Sequence, residues 1–254
     1  MKTSEKTGSL TPKLPNFSSS RRKVSRAVKH IEELERSIKS YFSRRWYTSS
    51  TRRVADGNLE MQVRVLGTPR DADLAVGDAI HNLRAALDLA AVEAVRCGGG
   101  SGNGASFPFS ESAQNIEETM HARKIHRAPT AVQNLIRKLR PYHGGNAALR
   151  ALHDLDIADK HHSLIEIATT ITTPRVRVLC NERGAPIVGA DGKARLEVES
   201  ASEPVAVFTF AKDSPLAGKP LVETLRFLRQ MVSDISGGSG RSDRFPSEIS
   251  GRPC

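Results

Sequence analysis

The sequence predicts an α+β fold: a helical core with an N-terminal β-hairpin, and a C-terminal antiparallel sheet plus a terminal helix. Three observations carry this. Apolar residues recur at threes and fours through much of the first 165 residues and again after residue 219. Two β-prone runs flank "ADGN" at 55–58, a hairpin-turn signal. After Thr173 the apolar period changes to two. Helices and strands are segregated rather than alternating, which argues against a parallel α/β sheet.

Residues 1–19 are rich in Ser, Thr, Lys and Pro and read as a disordered basic tail. A single domain is expected over 20–236, with a second disordered tail at 237–254. The first helix follows "SSS", a serine N-cap signal. Val24, Val28, Ile31, Leu34, Ile38 and Phe42 form its apolar stripe, and Lys and Arg decorate the other face. The hairpin comes next, with Leu59, Met61, Val63 and Val65 alternating against polar neighbours.

The strongest helix lies between Pro69 and Gly98, with Val76, Ile80, Leu83, Leu87, Ala90 and Ala94 as its core stripe. "GGGSGNG" follows a helix rather than a strand, so it reads as a flexible linker and not a dinucleotide fingerprint. "FPF" at 107–109 anchors the chain back on the core. Short helices are expected around 112–124 and 129–140, the second opening at Pro129. "RPYHGGN" turns the chain into a leucine helix that ends in "LHDLDIADKHH". Four strands are expected at "RVRVLCN", "APIVG", "ARLEVES" and "PVAVFTFAK", with "ADGK" at 190–193 closing a hairpin. Leu221, Leu225, Leu228, Val232 and Ile235 mark the last helix.

The net charge of +10 is concentrated at the front. Residues 1–53 carry 14 of the 38 basic and 4 of the 28 acidic residues, leaving 24 of each sign for the rest. A basic front end on a neutral body suits a nucleic acid or other polyanionic partner, and Arg21, Arg22, Lys23 and Arg26 are the candidate contacts. A solvated helix face is the plainer alternative. A second patch at 121–143 holds six Lys+Arg, three His and no acid, and offers Arg123, Lys124 and Arg127. No zinc-finger spacing or aromatic stacking series accompanies either patch. No apolar run reaches roughly 18 residues, so no membrane partner is expected. Cys97, Cys180 and Cys254 are far apart and form no CxxC, which suits a reduced, cytoplasmic setting. No cofactor motif and no metal-ligand spacing is present; "HD" at 153–154 points its two side chains some 100° apart on a helix.

Two polar constellations could carry chemistry. His81, Arg84 and Asp88 fall within roughly a 60° arc of one helix, bordered by Asp78 and Asn82. An Arg, a His and an Asp there could hold a phosphate or move a proton, or could be a surface ion pair. In the later helix the stripe Leu149, Leu152, Asp156, Lys160 runs from leucine into charge, with His153 and Asp159 beside it. Such groups must be paired or wet. Asp156 can meet Lys160 one turn on, or the His81/Arg84 side of the earlier helix. His161 and His162 point to different sides, so at most one joins the cluster. The cross-helix cluster reads either as a site or as a structural network.

"GDAIHNLRAALDLAA", "FPF", "PY" at 141–142 and "LHDLDIADKHH" together resemble a family of bacterial and phage-associated proteins, over approximately residues 45–165. The resemblance carries over to Gly77, Asp78, His81, Asn82, Arg84, Asp88, Phe107, Pro108, Asp156, Asp159, Lys160 and His161. It implies membership and no particular activity. The family form places a histidine five residues after the arginine, an R-x4-H pattern similar to that of HEPN-type helical nucleases, in which Arg and His act without metal. This chain has Leu89 there. Two expectations follow. One is an accessory module that binds a polyanion through the basic N-terminal helix. The other is a metal-independent nuclease or phosphodiesterase in which Arg84 works with His81 or His161. A metal-dependent phosphohydrolase is a third, less supported by the spacing.

Overall fold

A computed structural model describes residues 17–53, 59–161, 164–172, 176–178, 187–190, 196–198 and 204–237. Its helices are α1 (Ser18–Phe42), α2 (Ala72–Cys97), α3 (Ile116–Ala122), α4 (Thr130–Leu139), α5 (Ala147–His161) and α6 (Leu221–Gly237). Its strands are β1 (Tyr47–Arg53), β2 (Leu59–Val65), β3 (Ile167–Thr172), β4 (Val176–Val178), β5 (Leu196–Val198) and β6 (Val205–Phe210). The α+β class is as expected.

α2 is the central helix. It packs against α1, α5 and α6, and α1 also meets α6. The expected stripe of α2 is buried throughout, with Val76, Ile80, Leu83 and Leu87 fully enclosed. Leu34 of α1, Leu149 and Leu152 of α5, and Leu225 and Leu228 of α6 complete this core. Truncating any one of these leucines to alanine would cost about 2–5 kcal/mol. Ala75, Ala79, Ala86 and Ala91 are buried along α2, and their small side chains let neighbouring helices approach closely. Phe107 and Phe109 are buried, so "FPF" does anchor the chain.

The strands divide between two antiparallel sheets. One has the order β1-β2-β4-β5, so the C-terminal strands extend the N-terminal hairpin through Leu59 opposite Val176. The other is β3 with β6, from Ile167 opposite Phe210 to Thr172 opposite Val205. β3 begins before Thr173, in the β-branched run "IATTIT", where no strand is expected from alternation. Of "APIVG", the described residues 187–189 contribute a bridge at Val188.

Three local expectations change. Ser18, Ser19 and Ser20 lie inside α1, and Phe17 occupies the cap position without a side-chain cap; Ser20 Oγ instead donates to the Ala86 carbonyl at 2.8 Å. The helix therefore begins two residues before the expected boundary at residue 20. Pro129 precedes α4 rather than opening it. The glycine run after α2 is a packed turn and not a loose linker. A side chain at Gly98 would strike the Arg127 carbonyl, and Gly99, Gly102 and Gly104 hold the left-handed conformation that glycine accepts freely. The hairpin turn at 54–58, the turn "ADGK" beyond residue 190, and the tails at 1–16 and 238–254 lie outside the described residues. No described helix is long and apolar enough to cross a membrane.

Candidate functional site

The two constellations face each other where α5 packs on α2, and they form two adjacent layers. The lower layer centres on Asp156, which is 5% exposed because it continues the stripe of Leu149 and Leu152. Both its oxygens are used. His81 Nδ1 donates to Oδ1 at 3.1 Å, and Lys160 Nζ donates to Oδ2 at 2.7 Å. A carboxylate only accepts, so His81 carries its proton on Nδ1 and leaves Nε2 free. The His81 side chain is 42% exposed. The Asp156–Lys160 pairing anticipated from i,i+4 spacing is present, and so is the cross-helix contact.

Asp159 lies against Gly77 of α2. A Cβ built at Gly77 would sit 2.5 Å from Asp159 Oδ1, so only glycine lets α5 approach there without displacing that carboxylate. Burial raises the Asp159 carboxyl above the usual carboxylate range, with Asp156 and Asp78 adding repulsion; His81 and Lys160 oppose this. Beyond Asp78, His30 of α1 is buried between Asp78 and Glu33 at 3.7 and 3.6 Å. His161 ends α5, and its side chain lies outside the described residues, as does His162.

The upper layer centres on Arg84. It does not sit on the solvent face: its side chain is 12% exposed. Nη1 lies 2.5 Å from Asp88 Oδ2, an ion pair not aligned as a hydrogen bond, while Nε donates to His153 Nδ1 at 3.3 Å. The guanidinium carbon stands 4.4 Å from the Phe109 ring centroid, and the His153 ring stacks on Phe109 at 4.4 Å and 4°. Burial, Arg84 and Arg150 push His153 down to about 4, so it is neutral near pH 7 and its Nδ1 lone pair accepts from Arg84. Asp88 Oδ1 accepts the Phe107 N–H at 2.9 Å. Arg150 donates to the Ser110 carbonyl at 3.0 Å and pairs with Glu111 and Asp154. The upper layer thus ties the 107–111 strap to α2 and α5.

Sequence reasoning placed His153 beside the cluster but did not see it as the partner of Arg84. Phe109 and Arg150 were also missed as members. The available signal was phase: His153 lies three residues before Asp156, on the same side of α5. His153 and Asp154 diverge, one toward Arg84 and the other toward Arg150. Among the described residues, no group of three or more His, Cys, Asp or Glu is placed to hold a metal ion.

The basic candidates separate. Arg22, Lys23 and Arg26 line a groove of about 530 Å³ beside α1, together with Ser19, Ser25, Lys29, Asn82 and Leu89. Among the described residues no carboxylate lines it. Lys23 Nζ donates to Asn82 Oδ1 at 3.2 Å, and Asn82 Nδ2 donates to the Asp78 carbonyl at 2.8 Å, which fixes the groove wall on α2. Arg21 is exposed and does not line this groove. Lys29 was not singled out from sequence, although it lies three residues after Arg26. Leu89 opens into the groove, about 140° around α2 from Arg84.

Arg123 and Lys124 link α3 to the 3-10 turn Ile125–Arg127, which Arg127 ends, and none lines the groove. Their patch is less free than its composition implies. Glu117, just upstream, takes Arg137 in a two-pronged pair at 2.6 and 2.8 Å. Arg140 donates to Tyr142 Oη and to the Gly144 carbonyl. His121 and His126 stack at 4.1 Å. Burial and the neighbouring positive groups hold His126 below the usual histidine range.

Comparison with protein-family models, curated proteins and solved structures finds no match.

Proposed function

We propose that this chain is an accessory module that binds the phosphate backbone of nucleic acid through the groove between α1 and α2. One observation supports it above others: Arg22, Lys23, Arg26 and Lys29 converge on a concave surface with no acidic residue among the described residues of its lining. Like charges gathered without counterions raise the local positive potential and attract a polyanion. The groove offers positive charge and serine hydroxyls but no aromatic platform, so it fits backbone contact rather than base reading. The family resemblance carries no activity, so the reading rests on the groove. The widely spaced cysteines fit a reducing, cytoplasmic setting.

The test is fluorescence anisotropy with a labelled duplex across a salt series. Four neutralised phosphates give an expected log–log salt slope of about −3.6. Arg22→Glu/Arg26→Glu should weaken binding while leaving the melting curve unchanged, because both side chains are exposed. Salt-insensitive binding, or binding unaffected by the double variant, would overturn the proposal.

A second reading, metal-independent phosphodiester cleavage, is favoured by the Asp156–His81 hydrogen bond. It leaves His81 Nε2 unoccupied on a half-exposed ring, oriented by a buried carboxylate as a general base is. Arg84 is engaged with Asp88, His153 and Phe109, so Lys160 is the cation beside His81 in this reading. Cleavage that persists with a chelator and is lost in His81→Asn would support it. Cleavage unchanged in His81→Asn, or no cleavage at any pH, would end it.

A further inference from the structure

A second groove, of about 570 Å³, lies against the C-terminal half of α1. Arg36, Arg44, Arg45 and Arg70 line it, with Ser37, Ser40 and Tyr41. On α1 at 100° per residue, the residues lining the first groove and those lining the second share one arc of about 140°, apart from Ser25 and Arg45. The arc runs Ser19, Arg22, Arg26, Lys29, then Glu33, Arg36 and Ser40, and Arg44 follows past the helix end. The two grooves are therefore two stretches of one helix face. α2 walls the first through Asn82 and Leu89. Asp71 and Ala75, at the other end of α2, wall the second. This follows from α1 and α2 running antiparallel, with Ser20 bonded to Ala86 and Ser37 to Arg70.

We infer that the two grooves form one continuous basic track for a duplex about one helical turn long; this rests on the nucleic-acid reading above. From Arg22 to its end at Phe42 the helix rises about 30 Å at ~1.5 Å per residue, with Arg44 just beyond. That matches the roughly 34 Å turn of B-form DNA, about 10 base pairs. Five cations of α1 lie along the face, Arg22, Lys23, Arg26, Lys29 and Arg36, and Arg44 follows just past the helix end. Two acids, Glu33 and Asp71, line the second groove among these cations, and each has a cationic or ionisable neighbour. Glu33 sits 3.6 Å from His30, and Asp71 sits 3.3 Å from Arg70. Among the described residues Tyr41 is the one aromatic side chain in either lining, and its hydroxyl donates toward the carbonyls of Trp46, Leu66 and Gly67, so the ring is held as part of the wall. A track without a stacking series suits a duplex backbone over a single strand.

The experiment titrates the full chain with DNA hairpins whose stems are roughly 4, 8, 12 and 20 base pairs, each at several salt concentrations. Affinity and salt slope should rise with stem length up to about 10 base pairs and then level off per site. Arg36→Glu/Arg44→Glu, at exposed or groove positions remote from Arg22, should weaken the 12-pair stem on the order of tenfold and leave the 4-pair stem unchanged. Far-UV circular dichroism checks that the double variant stays folded. Equal affinity and slope for 4- and 12-pair stems, or a 12-pair stem indifferent to the double variant, would overturn the single track while leaving the groove proposal standing. Tighter binding of single strands would overturn the duplex assignment. No binding of any stem at low salt would instead remove the nucleic-acid reading itself.

Discussion

His81 donates its Nδ1 proton to Asp156 Oδ1 at 3.1 Å, joining two helices 75 residues apart in the chain. The same carboxylate holds Lys160 at 2.7 Å, so one nearly buried negative group serves two half-exposed cationic or ionisable ones. The inequality of burial decides what each partner contributes.

Asp156→Ala should therefore cost more than loss of either partner. It removes the acceptor from the dry side of the contact and leaves His81 and Lys160 unpaired, with an expected loss of about 1–3 kcal/mol after allowing for their exposure. Lys160→Met should cost about 1 kcal/mol or less, because the lysine is largely solvated. Urea titrations would show this as a lowered midpoint at constant slope. Equal midpoints for the two variants would contradict the assignment.

His153 makes stability depend on pH. Its folded value of about 4 lies below the ordinary value of about 6.5, so the unfolded chain binds a proton first as pH falls. The stabilisation is fully present above about 6.5 and is lost progressively down to about 4. The expected loss is on the order of 2 kcal/mol, reduced from the full shift because the ring is partly wet. Unfolding curves collected between pH 7.5 and 4 should lose much of their slope in His153→Phe, the remainder coming from other carboxylates and histidines.

Gly77 and Asp159 should be energetically coupled. Alanine is the better helix former by about 1 kcal/mol, but its Cβ would press on the Asp159 carboxylate. Gly77→Ala should thus gain little or lose stability in the native background, and should stabilise an Asp159→Ala background by up to about 1 kcal/mol. A double-mutant cycle with coupling below about 0.3 kcal/mol would mean that the close approach costs nothing.

Asp88 fastens the "FPF" strap. Asp88→Ala leaves the Phe107 N–H and the Arg84 guanidinium without their carboxylate, at an expected cost of about 2–3 kcal/mol. Asp88→Asn retains an acceptor for the Phe107 N–H and should recover part of it. Hydrogen exchange at the Phe107 amide should accelerate in the alanine variant beyond the change at the core of α2.

Much of the α2–α5 seam was legible in advance because helical phase is a local property. Val76 through Ala94 and Leu149 through Asp156 announce which faces meet, and the charge following Leu152 shows that the contact must contain pairs. Phase does not say which cation meets which anion. Arg84 reaches His153 and Phe109 instead of Asp156 because the strap at 107–111 enters the upper half of the seam, and its position depends on a turn that only packing fixes. The patch at 121–143 shows the same limit of local reading. Its composition is free of acid, yet Glu117 from the preceding helix closes on Arg137.

By itself the amino-acid order determined the helices, their buried stripes, the hairpin and the location of charge, since these follow from periodicity and backbone preference within a few turns. Only the tertiary structure decided the rest: the division of strands into two sheets, the pairing of Arg84 with His153, and the gathering of Arg22, Lys23, Arg26 and Lys29 into a groove against Asn82 and Leu89. Each of these joins residues distant in the chain. They are settled by how the alanine-lined α2 lets α1 and α5 close upon it, a property of the packed core and of no single segment.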